Sequence, residues 1–372
     1  MLKICLTGGP CAGKSSAFEI LNRTLSERGY KVLFCPETAS ELILNGIIPG
    51  EEIDINKFQE FVLDKQLAKE KIYNDMINYY DENKLIIFYD RGILDQLAYV
   101  EKQTFEDMLK EKKLTIASVY DRYDAVLHLV TAADGAEEFY QWNDPTKKDT
   151  GNNAARSENP EEARIKDKKT LNGWIGHPHL RVFDNSVDFN TKIQNVIEEV
   201  YTLLGEPVPR EIERKFLIKY PTSEVLSKIK DYSKSDIIQT YLKSDGNVER
   251  RIRQRGSIKD GFSFFYTEKT KISELERIEK EIKISQNKYI SYLAETDTNL
   301  HQIAKTRYCF VYDKKYFEMD VYPFSDEYAI LEIELADKDE KINLPEYLEV
   351  IKEVTYDSKY KNIELAKSCS LE

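Results

Sequence analysis

Two sets of residues have types and spacing that could do chemistry. The first is local: Gly8, Gly9, Pro10, Cys11, Ala12, Gly13, Lys14 and Ser15 fit G-x-x-x-x-G-K-S, with Ser16 following. An apolar run precedes it, and a helical pattern (Phe18, Ile20, Leu21, Leu25) follows. Glycines let successive backbone N–H groups converge on phosphate, and the helix N-terminus adds its dipole. Lys14 can reach the β and γ phosphates and Ser15 can ligate Mg²⁺, so ATP or GTP is the expected ligand. Asp90 ends the apolar run from Leu85, a position at a strand's C-terminal edge suited to holding Mg²⁺ through water or to acting as base. Glu37, ending V-L-F-C-P-E, is placed to contact a phosphate acceptor. Arg156 and Arg164 fall in the polar stretch 144–170, read as a loop that could carry guanidinium charge to a transferring phosphate as a lid.

The second set is spread out. Glu211, Glu213 and Lys215 stand at i, i+2, i+4, which on a strand puts all three on one face. The same spacing recurs at Arg251, Arg253 and Arg255, at Lys269 and Lys271, at Arg277, Glu279, Glu281 and Lys283, at Lys305 and Arg307, at Glu318 and Asp320, and at Glu332 and Glu334. Ile212, Ile278, Met319 and Ile333 occupy intervening positions. The charged faces therefore look either outward to water or inward to a polar cavity. The first arrangement puts apolar faces inside; the second makes a barrel whose acids would hold Mg²⁺ or Mn²⁺ and whose bases would hold phosphate oxygens.

Elements to position these residues come in two textures. Apolar β-type runs (3–6, 32–35, 85–89, 125–130, 182–183) alternate with helical patterns, the mark of a parallel sheet covered by helices. After a helical pattern over 186–204, G-E-P-V-P at 205–209 stops the helix and starts short alternating strands. These read as 211–219, 248–255, 262–269, 277–284, 305–312, 315–322 and 329–335, with helices at 221–232, 286–303 and near 344–352. The expected organisation is a nucleotide-binding domain over 1–205, a linker at 206–209 and a second domain over 210–372. A length of 372 residues agrees with two domains.

The D-R-G arrangement at Asp90, Arg91 and Gly92 and the late arginine loop resemble the nucleoside-kinase-like P-loop proteins, in particular AAA-type ATP/GTP-binding domains. That likeness covers about residues 1–205. It implies that Asn185 and Ser186 approach the nucleobase, and it marks Glu37, Arg91, Arg156 and Arg164 as acceptor or lid residues. Gly92 stands where many deoxynucleoside kinases carry Ser.

The run E-I-E-R-K at 211–215 is similar to the E-x-E-x-K signature of the CYTH domain of triphosphate tunnel metalloenzymes, and the later charged pairs follow in the same order over 210–368. The likeness implies an α/β P-loop domain followed by an α+β domain built on an eight-stranded antiparallel β tunnel. It also implies metal ligands at Glu211, Glu213, Glu279, Glu281, Asp320, Glu332 and Glu334, and phosphate contacts at Lys215, Arg251, Arg253, Lys269, Arg277, Lys305 and Arg307. Glu211, Glu213 and Lys215, with Asp90 in the first domain, are the expected catalytic groups. Hydrolysis of a nucleoside triphosphate or inorganic polyphosphate is the implied activity. An adaptor binding nucleotide and a phosphoinositide headgroup, a nucleoside or small-molecule kinase with an accessory tunnel, and an adenylyl cyclase are the alternatives. Tyr360, Lys361 and Asn362 would either close a tunnel end or form a surface turn.

A net charge of −12 argues against coating bulk nucleic acid. Five cysteines do not form a disulfide framework, and no apolar run approaches a membrane span, so a reducing cytoplasmic setting is expected. His177 and His179, with no third ligand nearby, do not make a metal site by themselves.

Overall fold

A computed structural model describes residues 1–140, 158–205, 212–244, 248–271, 277–335 and 341–371; for 212, 270–271 and 277–279 it describes backbone only. The chain forms two compact units, Met1–Thr115 with Val119–Val200, and Ile116–Ser118 with Tyr201–Glu372. The expected linker at 206–209 lies outside the described residues.

From Leu2 to Leu204 the elements run β1 (Leu2–Thr7), α1 (Lys14–Glu27), β2 (Lys31–Cys35), α2 (Thr38–Leu44), α3 (Ile55–Met76), β3 (Leu85–Asp90), α4 (Lys102–Glu111), α5 (Ile116–Tyr120), β4 (Ala125–Leu129), α6 (Pro160–Trp174), β5 (Leu180–Phe183) and α7 (Phe189–Leu204). All five strands pair in parallel, in the order β2-β3-β1-β4-β5. Strands β3 and β4 are almost wholly buried, the continuous apolar pattern of a sheet covered on both faces. The stretch 144–170 is not all loop. From Pro160 it is the helix α6, started by Asn159, whose side chain accepts from the Glu162 N–H while the Glu162 carboxylate accepts from the Asn159 N–H.

The C-terminal unit contains β6 (Ile212–Lys219), α8 (Ser223–Lys228), β7 (Tyr232–Leu242), β8 (Val248–Ser257), β9 (Gly261–Lys271), β10 (Arg277–Ile284), α9 (Gln286–Tyr292), β11 (Ile303–Tyr312), β12 (Lys315–Val321), β13 (Tyr328–Leu335), β14 (Val350–Glu353) and α10 (Asn362–Ser368). Among the described residues they make one antiparallel sheet of nine strands, one more than expected, in the order β10-β9-β8-β7-β11-β12-β13-β6-β14. The expected helix near 344–352 is instead the short edge strand β14, which pairs with β6. One face of the sheet is apolar: Phe216, Phe310, Phe317, Met319, Leu331 and Ile333 are buried there with Ile229 and Leu348. The opposite face carries the charges, of which Arg251, Arg255, Lys305, Arg307, Asp320 and Glu332 are buried.

Candidate functional site

The phosphate loop is built where β1 ends and α1 begins. Gly8 has φ 141 and Gly13 φ 86, both in the region that favours glycine. A Cβ on Gly8 would lie 2.0 Å from the Leu129 carbonyl oxygen, and one on Gly13 would lie 2.5 Å from the Phe189 ring. The Lys14 ammonium folds across the loop, donating to the carbonyls of Gly8 (3.2 Å) and Gly9 (3.3 Å). Burial, then the neighbouring Arg91 charge, lowers the Lys14 pKa. Ser15 and Ser16 are exposed at the start of α1.

Parallel register sets Asp90 beside Leu6, at the carboxyl edge of the sheet. Its Oδ1 is buried with no hydrogen-bond partner, and burial raises its pKa against the pull of Lys14. An acceptor of this kind beside the loop fits a divalent ion held with Ser15, which would neutralise phosphate charge. Next in the chain, Arg91 sits at φ 67 and is clamped: Nε donates to Glu37 Oε1 (2.5 Å), and Nη1 to the Gly8 carbonyl (3.1 Å) and Asp95 Oδ2 (3.3 Å). Burial opposes ionisation of Glu37, yet Arg91 and Lys14 hold its carboxyl down at about 2.

Two residues show roles that sequence spacing did not. Asp167, on α6, accepts from the Gly9 N–H (2.5 Å) and the Thr131 N–H (3.2 Å), so it pins the phosphate loop. Asp95 accepts from Thr7 Oγ1 (2.7 Å) and Trp174 Nε1 (2.5 Å) while holding Arg91. Neither pairing has a local signal, because both partners come from distant elements. Asn185 donates to the Thr131 and Asp134 carbonyls (both 2.8 Å) and accepts from Lys192 (2.8 Å), so its amide braces the loops and is not free to read a nucleobase. Arg164 lies on α6, bonded to Glu161 and to the Ala133 carbonyl, and Arg156 lies outside the described residues. His177 is buried, its Nε2 3.0 Å from the Tyr123 carbonyl.

In the C-terminal unit, β6, β11, β12 and β13 bring Glu213, Lys215, Lys305, Arg307, Glu318, Asp320 and Glu332 together. Register explains the proximity, since Arg307 faces Asp320, Glu332 faces Lys215 and Glu334 faces Glu213 across neighbouring strands. Asp320 is 0% exposed, and both of its oxygens accept from Arg307 at 2.6 Å, with Lys305 on Oδ2 as well. Arg307 also reaches past β12 to Glu332 Oε2 (2.8 Å) and pairs with Glu318. Lys215 donates to Glu332 Oε1 (2.6 Å) and lies 3.1 Å from Glu213. Some contacts span an intervening strand, including Arg255 Nη2 to Cys309 Sγ at 3.5 Å across β7. Lys305, Arg307, Asp320 and Glu332 on this face are buried, so they do not look outward to water.

The charges are unevenly balanced. Burial works against ionisation of Glu332 and Asp320, but the bases hold both carboxyls below their usual range. Glu213 is pushed up to about 7 by burial and then by Glu332 and Glu334, with Lys215 opposing. A second cluster on β8, β9 and β10 joins Glu281 to Arg253 and to Thr267 Oγ1 (2.7 Å). Arg251 and Lys269 lie on the same strands. Glu211 and the side chains of Arg277 and Glu279 lie outside the described residues. Among the described residues no three acid, His or Cys side chains converge as a metal site. Leu217, Ile330, Tyr360 and Leu365 form an apolar cluster at one end, and Asn362 Oδ1 accepts from Tyr322 at 3.5 Å.

Among the described residues no helix is long and apolar enough to cross a membrane. No curated protein matches the chain. Among solved structures, the inorganic triphosphatase NE1496 is similar at 29% identity and TM-score 0.31, over 42% of this chain and 95% of that one. The PH1819 protein from Pyrococcus horikoshii OT3 is similar at 22% identity and TM-score 0.27, over 35% of this chain and 81% of that one. The family model for an AAA domain matches residues 3–192, just over half of the 372. With the phosphate loop and parallel sheet lying inside that match, the chain belongs to this AAA-domain family.

Proposed function

We propose that the C-terminal unit is a metal-assisted phosphohydrolase of the CYTH type, acting on a triphosphate or polyphosphate chain, and that the N-terminal unit binds ATP or GTP at its phosphate loop. The observation that carries the first part is the buried cluster in which Lys305 (4% exposed) and Arg307 (6%) meet Asp320 and Glu332. Burying charge of both signs is costly for a fold with no use for it. A chain of phosphates accompanied by a divalent ion supplies both counter-charges at once.

Glu213, whose carboxyl pKa is raised by burial and by Glu332, and Glu211, two positions earlier in the sequence, would hold such an ion together with the substrate's own phosphate oxygens. When bound, the ion would neutralise phosphate charge and acidify water. Arg307, Lys305, Arg251, Arg253, Lys269 and Arg277 would bind phosphate oxygens, and Lys215 would polarise the attacked group. Water oxygen attacks phosphorus as the bridging P–O bond breaks. Glu213, titrating near neutral pH, is suited to take the proton.

The test is product analysis after incubating the full chain with ATP, GTP, tripolyphosphate or thiamine triphosphate and Mg²⁺ or Mn²⁺. Phosphate or pyrophosphate release that stops with chelator is expected. Binding without any product would favour an adaptor instead.

A further inference from the structure

Two of the arginines on the charged face of the C-terminal unit are held in different ways. Arg307 faces Asp320 across β11 and β12 and bonds to both of its oxygens, so its charge is offset where it stands. Arg251, buried on β8, has Tyr241 of β7 directly opposite on one side and Thr267 of β9 on the other. Both of these neighbours are neutral. Thr267 Oγ1 donates to Glu281 (2.7 Å). The Tyr241 hydroxyl is hydrogen-bonded to the Arg251 side chain, and its oxygen also accepts from Gln239 Nε2 (2.8 Å). A phenol orients a guanidinium as a carboxylate does, but leaves its positive charge intact.

The Tyr241 hydroxyl is a fixed point. Its ring belongs to the buried apolar cluster of Leu217, Ile303, Ile330 and Leu365, and its carbonyl accepts from the Asp297 N–H (3.0 Å). Gln239 is buried two residues earlier, on the same face of β7. Burial pushes the Tyr241 pKa up, so the group stays a neutral phenol.

We propose that Gln239 and Tyr241 are a positioning pair that aims the Arg251 guanidinium at a phosphate oxygen of the substrate. This rests on the phosphohydrolase reading of the C-terminal unit, in which Arg251 binds the phosphate chain. Gln239 holds the hydroxyl, the hydroxyl holds Arg251, and Arg251 alone of the three meets the substrate. An arginine aimed in advance gives up less side-chain freedom when phosphate arrives, so the pair acts on substrate affinity.

The experiment measures KM and kcat for tripolyphosphate with Mg²⁺ in the full chain, in Tyr241→Phe, in Arg251→Gln and in the double variant. Tyr241→Phe keeps the ring in its apolar cluster and removes only the hydroxyl. KM should rise at least fivefold with kcat within twofold, the mark of an interaction shared by bound substrate and transition state. In the Arg251→Gln background the same change should alter KM less than twofold, because the residue through which the hydroxyl acts is gone. Gln239→Leu should raise KM at least twofold with the phenol still present. Hydrogen exchange on peptides from β7 and β8 accompanies each variant, and if Tyr241→Phe loses protection there, Gln239→Leu decides. An unchanged KM in the deciding variant overturns the proposal. So does a rise equally large in the Arg251→Gln background, which is what a merely structural role produces. Hydrolysis by the unmodified chain with either of these results overturns this proposal alone; no hydrolysis by the unmodified chain overturns it together with the phosphohydrolase reading.

Discussion

Replacing Arg307 with Met probes whether the charged face is buried as described. Arg307 makes both 2.6 Å bonds to Asp320 and the 2.8 Å bond to Glu332, and Asp320 has no access to water. The variant leaves Asp320 with Lys305 alone. Removing one partner of a buried pair costs about 3–5 kcal/mol, a large part of the 5–15 kcal/mol that holds a typical domain together. At about 1.4 kcal/mol per tenfold, opening equilibria in β11–β13 should rise about 10²- to 10⁴-fold. Neither tryptophan, Trp142 or Trp174, lies in the C-terminal unit, so hydrogen exchange by mass spectrometry on peptides from 303–335 is the suitable assay. The double variant Arg307→Met/Asp320→Leu should recover only part of the protection, since it removes the charge stranded on Asp320 but takes from buried Lys305 its carboxylate partner. Single-variant protection within tenfold of the parent chain would refute the reasoning, showing that these charges sit in contact with water.

Lys14→Ala should weaken ATP or GTP binding at least 100-fold by calorimetry, while tripolyphosphate hydrolysis by the C-terminal unit continues. Glu37 has a folded-state pKa of about 2 against an ordinary 4.5, so the stability it confers is present above about pH 4.5 and lost as pH falls toward 2. The shift corresponds to about 3 kcal/mol; Arg91→Gln should flatten that part of the acid unfolding curve followed by Trp174 fluorescence. Gly13→Ala should destabilise the N-terminal unit by about 1–3 kcal/mol in denaturant melts, because the position needs φ 86 and the new Cβ meets Phe189 at 2.5 Å.

What could be read from sequence was what is local. The phosphate loop is one contiguous segment, and β6, β8 and β11–β13 announced themselves through charge at every second residue. Strand β7 escaped that signal because its buried positions, Ser235, Ile237, Gln239 and Tyr241, carry no charge. The start of α6 was present as Asn159-Pro160-Glu161-Glu162, a capping pattern masked by the polar run before it. The apolar spacing near 344–352 suits a helix, but pairing with the free edge of β6 decides for β14. The clamp on Arg91 and the Asp167 contact with Gly9 join residues dozens of positions apart, and only tertiary packing creates them.

Glu213→Gln tests the central claim most directly. Glu213 titrates near 7, so Gln closely resembles a form it already populates at neutral pH, and the unit should stay folded by hydrogen exchange. Phosphate release from tripolyphosphate with Mg²⁺ should fall at least 100-fold in Glu213→Gln and persist in Lys14→Ala. Release that survives Glu213→Gln and disappears in Lys14→Ala would contradict the account, placing the hydrolysis at the phosphate loop.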